Sequence, residues 1–149
     1  MCGIIGYSGH RPAIPVIMQG LRRLEYRGYD SAGVAYIQNR QLETIRSQGK
    51  LDELEAKLES CDAAHATTGI GHTRWATHGL PTETNAHPHR DNHNHLALVH
   101  NGIIENYQTL KAELQEQGCS FCSQTDTEVL VHLVSMVLQQ GMSIPESIQ

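Results

Sequence analysis

Long apolar runs are missing from the sequence. None approaches the roughly 20 residues needed to cross a bilayer, so no membrane partner is expected. The opening residues, MCGIIGYSGHRP, carry neither a basic leader nor a long apolar stretch. They read as no secretory signal, and a cytoplasmic location is expected. Positive charge is not in excess: 11 Lys and Arg face 16 Asp and Glu, for a net charge of −5 with histidine neutral. That balance gives no reason to expect nucleic acid or an anionic membrane surface as a partner. Cysteine is scarce, at Cys2, Cys61, Cys119 and Cys122, and in a cytosolic setting these read as free thiols. Cys119 and Cys122 form a single C-x-x-C, which without a second pair points only weakly to zinc or redox chemistry. The plainer reading is a short strand from Ser120 to Ser123 flanked by thiols. Internal repeats and low-complexity segments are also lacking. What remains is a chain of 149 residues, 39% hydrophobic and 18% charged, which fits one soluble globular domain with one core.

Hydrophobic spacing divides the chain into elements. Ile4 to Tyr7 reads as a strand closed by Ser8-Gly9. Ala13 to Leu24 follows helical spacing, with Ile17, Leu21 and Leu24 on one face and Arg22 and Arg23 turned away. Val34 to Gln38 and Leu42 to Ser47 pair as a hairpin across Asn39-Arg40. Leu51, Leu54 and Leu58 mark a second helix, with Glu53 and Lys57 an exposed pair four residues apart. Thr68 to Arg74 is a strand. Residues 76–95 are polar, with Gly79, Pro81 and Pro88, and read as a long loop, a kind of segment that is often functional. Leu96 to Val99 is another strand, stopped at Asn101-Gly102. Tyr107, Leu110 and Leu114 make a helix ending at Gly118. Thr125 with Glu128 has capping-box spacing before a helix that ends at Gly141. Ser143 and Glu146 repeat that spacing with few residues left, so the chain is expected to be cut from a longer one.

Four places can carry chemistry. Cys2 becomes the first residue if Met1 is removed, placing a thiol and a free amine on one residue. With an ordinary pKa of about 7.7 to 8.0, that amine can take the thiol proton, and the thiolate is the nucleophile that matters. Gly3 beside it permits close backbone approach. In His100-Asn101-Gly102, the Asn101 amide and the Gly102 N–H can together bind a developing oxyanion, although a plain Asn-Gly turn also fits. Arg74, just after a strand, can grip a carboxylate with two parallel hydrogen bonds, or simply stack on Trp75. Asp126 can bind an ammonium group, or charge the start of a helix. His87, His89, His93, His95 and His100 invite a metal reading, but only Asp91 adds a carboxylate nearby, and Pro88 with two asparagines fits a solvated loop.

Together these segments resemble one family. Met1-Cys2-Gly3-Ile4-Ile5-Gly6 is similar to the start of the class II glutamine amidotransferases, which are N-terminal nucleophile hydrolases. Arg22 to Gly33, His72 to Gly79, Asn85 to His89, His100 to Glu105 and Thr125 to Glu128 resemble the members that make glucosamine 6-phosphate. The resemblance implies an α+β fold, a four-layer αββα sandwich, and roles for single residues. Cys2 attacks the side-chain amide of L-glutamine, and Asn101 with Gly102 forms the oxyanion hole. Arg74 holds the substrate carboxylate and Asp126 its ammonium. Trp75, Thr77 and His78 line the site, Trp75 on a loop that shields it. No cofactor and no metal are implied.

The family's glutaminase domain runs beyond residue 149, and sugar isomerase domains follow it. The resemblance therefore makes residues 2–149 a truncated glutaminase domain. Fructose 6-phosphate would be met only through the missing domains, and the parent protein is expected to be a homo-oligomer. Two alternatives stay open: the glutaminase domain of another class II amidotransferase, and a non-enzymatic metal-binding module built on the His-rich segment.

Overall fold

The computed structural model describes residues 2–27, 30–75 and 80–147. Strand β1 (Gly3–Ser8) leads into helix α1 (Ala13–Leu24), a 3-10 turn at Glu25–Arg27, and the strands β2 (Ser31–Gln38) and β3 (Gln41–Gln48). Helix α2 (Leu51–Glu59) and strand β4 (Thr68–Arg74) complete the first half. The second half has two short strands, β5 (His89–Arg90) and β6 (Ala97–Leu98), then helices α3 (Tyr107–Glu116), α4 (Glu128–Gln139) and α5 (Ile144–Ser147).

The larger sheet has the order β1-β4-β2-β3, with every pair antiparallel. The smaller pairs β5 with β6, also antiparallel. α1 lies on β1 and β4, and α2 on β3, while α4 lies on β5 and β6 with α3 beside it. The result is an α+β fold in four layers, helices outside and two sheets within. Asn39 and Arg40 both have positive φ, 51° and 64°, the twist that a two-residue hairpin turn between β2 and β3 requires.

The periodicity of α1 explains its place. Ala13, Ile14, Ile17, Met18 and Leu21 are buried and Arg22 and Arg23 are exposed. Leu51, Leu54 and Leu58 of α2 join them over Ala32, Val34 and Tyr36 of β2 in one apolar cluster. Each such aliphatic side chain contributes about 1.5 to 3 kcal/mol by leaving water. The contact with β4 depends on small residues: a Cβ on Gly71 would lie 2.4 Å from Ile17 Cγ2. Strand residues alternate between faces. Gly69 and Gly71 therefore meet α1, while His72 and Arg74 face the smaller sheet.

Some local expectations change. β5 lies inside the segment expected to be a structureless loop, because His89 and Arg90 pair with Leu98 and Ala97. Ser120 to Ser123 forms no strand. Ser120 instead exchanges hydrogen bonds with the Asn92 side chain, at 2.9 and 2.8 Å. Lys57 does not face Glu53. It donates to the Arg46 carbonyl at 2.8 Å and reaches the Glu83 carboxylate, since α2 packs across β3 and carries the amine over that strand. Thr125 does not cap α4. Its hydroxyl meets the buried His89 ring, while the Glu128 carboxylate reaches back to the N–H groups of Cys122 and Ser123 at 2.8 and 2.7 Å.

Candidate active site

Pairing register places the candidate nucleophile. Gly3 lies opposite Thr73, so Cys2 sits at the end of β4, beside Arg74 and Trp75. The Trp75 N–H donates to Cys2 Sγ at 3.1 Å, and the thiol lies 3.7 Å from the Trp75 carbonyl. Arg74 is on the face of β4 that meets the smaller sheet, and only 5% of its surface is accessible. Its NH1 contacts the Leu80 carbonyl at 3.4 Å. Burial lowers the Arg74 pKa, and the negative charges of Cys2, Asp30 and Asp126 oppose that shift. A guanidinium so placed stays charged and faces a site able to receive an anion.

Asp126 precedes α4 and is buried. Its Oδ2 accepts the Ile104 N–H at 2.7 Å, so the carboxylate both faces the cleft and holds the chain just after Asn101-Gly102. Asn101 Oδ1 lies 2.8 Å from His72 Nε2. A Cβ on Gly102 would lie 2.6 Å from the His100 ring, so a larger residue there would push that ring aside. The His100 ring is in turn 3.4 Å from Thr127 Oγ1.

Cys2, Arg74, Trp75, Gly102 and Asp126 line one cleft, and His72, His87, His100, Thr125 and Thr127 form the rest of its wall. Asn101 adjoins that cleft through His72. Thr77 and His78 lie outside the described residues. The fold thus brings together a thiol from the first strand's start, a cation from the end of β4, a turn after β6 and an anion before α4.

The wall is where sequence reading fell short. His72, His87 and His89 are buried and pack in a row, His87 tilted against His72 and edge-on to His89, with ring centroids 4.3 and 4.6 Å apart. His89 Nε2 meets Thr125 Oγ1 at 2.8 Å, and Thr125 meets Ser123 Oγ at 2.9 Å. Ser123 donates to Glu128 at 2.6 Å. Burial holds His72 and His89 down to about 4, and pushes His87 further down, so all three rings are neutral near pH 7. Burial alone would raise Glu128. The His132 ring at 3.9 Å and the donors from Cys122 and Ser123 outweigh it and hold the carboxyl near 2. One signal did point to His72: it lies two residues before Arg74, hence on the same strand face. The histidines of the 87–100 segment do not act as one set. His87 is buried in the wall and His89 behind it, His93 and His95 are exposed, and His100 covers the Asn-Gly turn. Among the described residues no group of three or more His, Cys, Asp or Glu is placed to hold a metal ion.

A family model described as a glutamine amidotransferase domain matches residues 58–145. The chain belongs to that family, and its αββα architecture is that of the N-terminal nucleophile hydrolases. Within the family, its similarity to particular proteins is specific. It is 58% identical over 149 residues to a glutamine–fructose-6-phosphate aminotransferase (isomerizing) of Tropheryma whipplei, covering 99% of this chain and 24% of that protein. It is 55% identical to the protein of the same name from Gloeobacter violaceus, again over 99% of this chain and 24% of the relative. The chain therefore spans about a quarter of the length of these curated relatives. Among solved structures, glutamine phosphoribosylpyrophosphate amidotransferase from B. subtilis, complexed with ADP and GMP, aligns with a TM-score of 0.75 at 30% identity. That alignment covers 99% of this chain and 31% of the other.

Proposed function

We propose that residues 2–149 are the glutaminase part of a glutamine–fructose-6-phosphate aminotransferase. The observation that carries this reading is the shared cleft: a thiol, a buried guanidinium, a buried carboxylate and an Asn-Gly turn converge there. Free L-glutamine carries a carboxylate, an ammonium and a side-chain amide, which these groups complement. Arg74 binds the carboxylate and Asp126 the ammonium, leaving the amide carbon before Cys2. Trp75 lines the same cleft, and the family resemblance gives Thr77 and His78 substrate-binding roles.

With Met1 removed, the Cys2 amine takes the thiol proton and the thiolate adds to the amide carbon. Asn101 Nδ2 and the Gly102 N–H donate to the resulting oxyanion. Collapse breaks the C–N bond. The proton carried by the amine goes to the departing nitrogen, which leaves as ammonia. Water then attacks the γ-glutamyl thioester, releasing glutamate and restoring the thiol. In the longer protein the ammonia passes to fructose 6-phosphate bound by other domains. A homo-oligomeric assembly in the cytoplasm belongs to the same reading.

The test uses the full-length protein. Its mature N-terminus should be Cys2 by intact mass. Cys2→Ser should abolish glutamate release from glutamine, because a hydroxyl is a far poorer nucleophile at neutral pH. Full activity with Met1 still attached would sink the proposal.

A further inference from the structure

An oxyanion donor works only if it is aimed before charge develops, because reorienting it during the reaction uses up the stabilisation it gives. Asn101 is poorly placed to aim itself. It sits in an exposed turn, and its amide has two chemically opposite ends. Presented to the cleft, Nδ2 stabilises an oxyanion and Oδ1 repels it. A one-half rotation of the amide exchanges the two, so something must select between them.

We infer that His72 is the positioning residue that makes this selection, by donating Nε2–H to Asn101 Oδ1. The inference rests on the oxyanion role proposed for Asn101. The separation is 2.8 Å, and it is the partner the Asn101 side chain has among the described residues. An oxygen can only accept, so Nε2 must carry the proton. With Oδ1 engaged by the ring, Nδ2 is free for the cleft. The opposite tautomer would make Nε2 an acceptor. It would then draw Nδ2 to itself and turn Oδ1 outward.

The ring is well held for this task. His72 is fully buried on a central strand of the larger sheet, and its backbone is fixed by pairing with Ile4 on one side and Gly33 on the other. The His87 ring packs against it at 4.3 Å, and His89 packs behind His87. His89 is tied through Thr125 and Ser123 to Glu128. An exposed amide is thereby referenced to a buried, hydrogen-bonded interior. His72 does not touch substrate on this account; it acts through Asn101.

The experiment is steady-state glutaminase kinetics on the full-length protein with His72→Phe and His72→Gln, each with a thermal melt. Phe keeps the ring and its packing on His87 but has no donor. Gln places an amide near the position of Nε2 and can donate again. His72→Phe should lower kcat about 10- to 100-fold, somewhat less than loss of the oxyanion donor itself, while the KM for glutamine changes little. His72→Gln should return kcat to within a few-fold of wild type. In the Asn101→Ala background, His72→Phe should have almost no further effect, since nothing remains to position. A wild-type kcat in His72→Phe overturns the inference. So does a loss that Gln does not restore, or one that persists undiminished in the Asn101→Ala background. If the Phe variant does not fold, His72→Gln and His72→Asn decide: Asn is too short to reach, so equal rates for these two overturn the inference. A wild-type kcat in Asn101→Ala alone is a different result, because it removes Asn101 from the proposed mechanism rather than His72 from its support.

Discussion

The two halves of this molecule are held together by opposite means. Between Ala13 and Ala66 the interior is an apolar cluster in which Ile17, Leu21, Leu51 and Leu54 are completely covered. Between Asn85 and Ser135 the interior is largely polar, with Asn85, His87, His89, Asp91, Thr125, Asp126 and Glu128 all buried. The first half gains from removing hydrocarbon from water, which is non-directional and tolerates small shifts. The second gains where donors meet acceptors, and each such contact depends on direction as well as distance. Asn85 shows this: it donates to the Leu80 carbonyl and accepts the Gln124 N–H, each at 2.9 Å, joining two segments by a single amide. The cleft lies where the halves meet. Cys2 and Arg74 come from the first, and Asn101, Gly102 and Asp126 from the second.

That contrast can be broken from either side, and the largest effect should come from the turn. Asn101→Asp keeps size and turn propensity but puts an anion where negative charge develops. In the full-length protein, kcat for glutamine hydrolysis should fall by at least about 100-fold with an unchanged melting temperature. A kcat within a few-fold of wild type would leave the turn without a catalytic role.

The mirror-image experiment is Leu54→Ala. It removes a fully buried side chain from the apolar half and should cost about 2 to 5 kcal/mol of stability. Glutaminase kinetics of the folded fraction should be nearly untouched. A chemical-denaturation series checks the first expectation, and assays well below the transition check the second. If kcat falls in parallel with stability, the halves are less independent than their interiors suggest.

A smaller and more selective effect is expected from Arg74→Lys. The KM for glutamine should rise, on the order of tenfold or more, because an ammonium cannot give the planar two-bond contact to a carboxylate. An unchanged KM would make Arg74 a packing residue beside Trp75.

The smallest effect concerns acid. His72 and His89 fall from 6.5 to about 4 because burial disfavours the imidazolium. Between those values the unfolded chain binds more protons than the folded one, so stability declines as pH drops from about 6.5 towards 4. Glu128, lowered from 4.5 to about 2, extends the decline with the same sign below pH 4.5. Melting temperatures measured from pH 7 to pH 4 should fall. His89→Gln, which keeps a donor for Thr125 but cannot titrate, should flatten that fall. An equal slope in the variant would place the source elsewhere.

The same contrast explains what could be read from the sequence. α1 follows its expected span because Ile14, Ile17, Met18 and Leu21 repeat with the helical period, and a periodic apolar face has one place to go. The hairpin across Asn39-Arg40 and the strand at Thr68–Arg74 follow for similar reasons. β5 was hidden because His89 and Arg90 are both polar, so its one buried and one exposed residue carry no hydrophobic alternation. Lys57 was assigned to Glu53 because spacing along one helix is visible in sequence, whereas the Arg46 carbonyl across the layer is not. Of the site, Cys2, Arg74, Trp75, Gly102 and Asp126 do share a cleft. The histidine wall behind them did not show, since contacts such as His72 with His87 depend on how two sheets face each other.

The pairing of β1 with β4 also has a consequence for how the protein is made. Gly3 finds its partner at Thr73, so the candidate nucleophile cannot be seated until some 70 further residues have left the ribosome. At about 5 to 20 residues per second that is a wait of roughly 4 to 14 seconds. Throughout that interval the start of the chain is unpaired and accessible, which is when an enzyme trimming Met1 could reach it. Once β4 arrives, the same residue becomes one end of an edge strand paired with β4, and the Trp75 backbone N–H meets its sulfur. On the proposed mechanism, the order of synthesis gives removal of Met1 a window before the thiol is held in place.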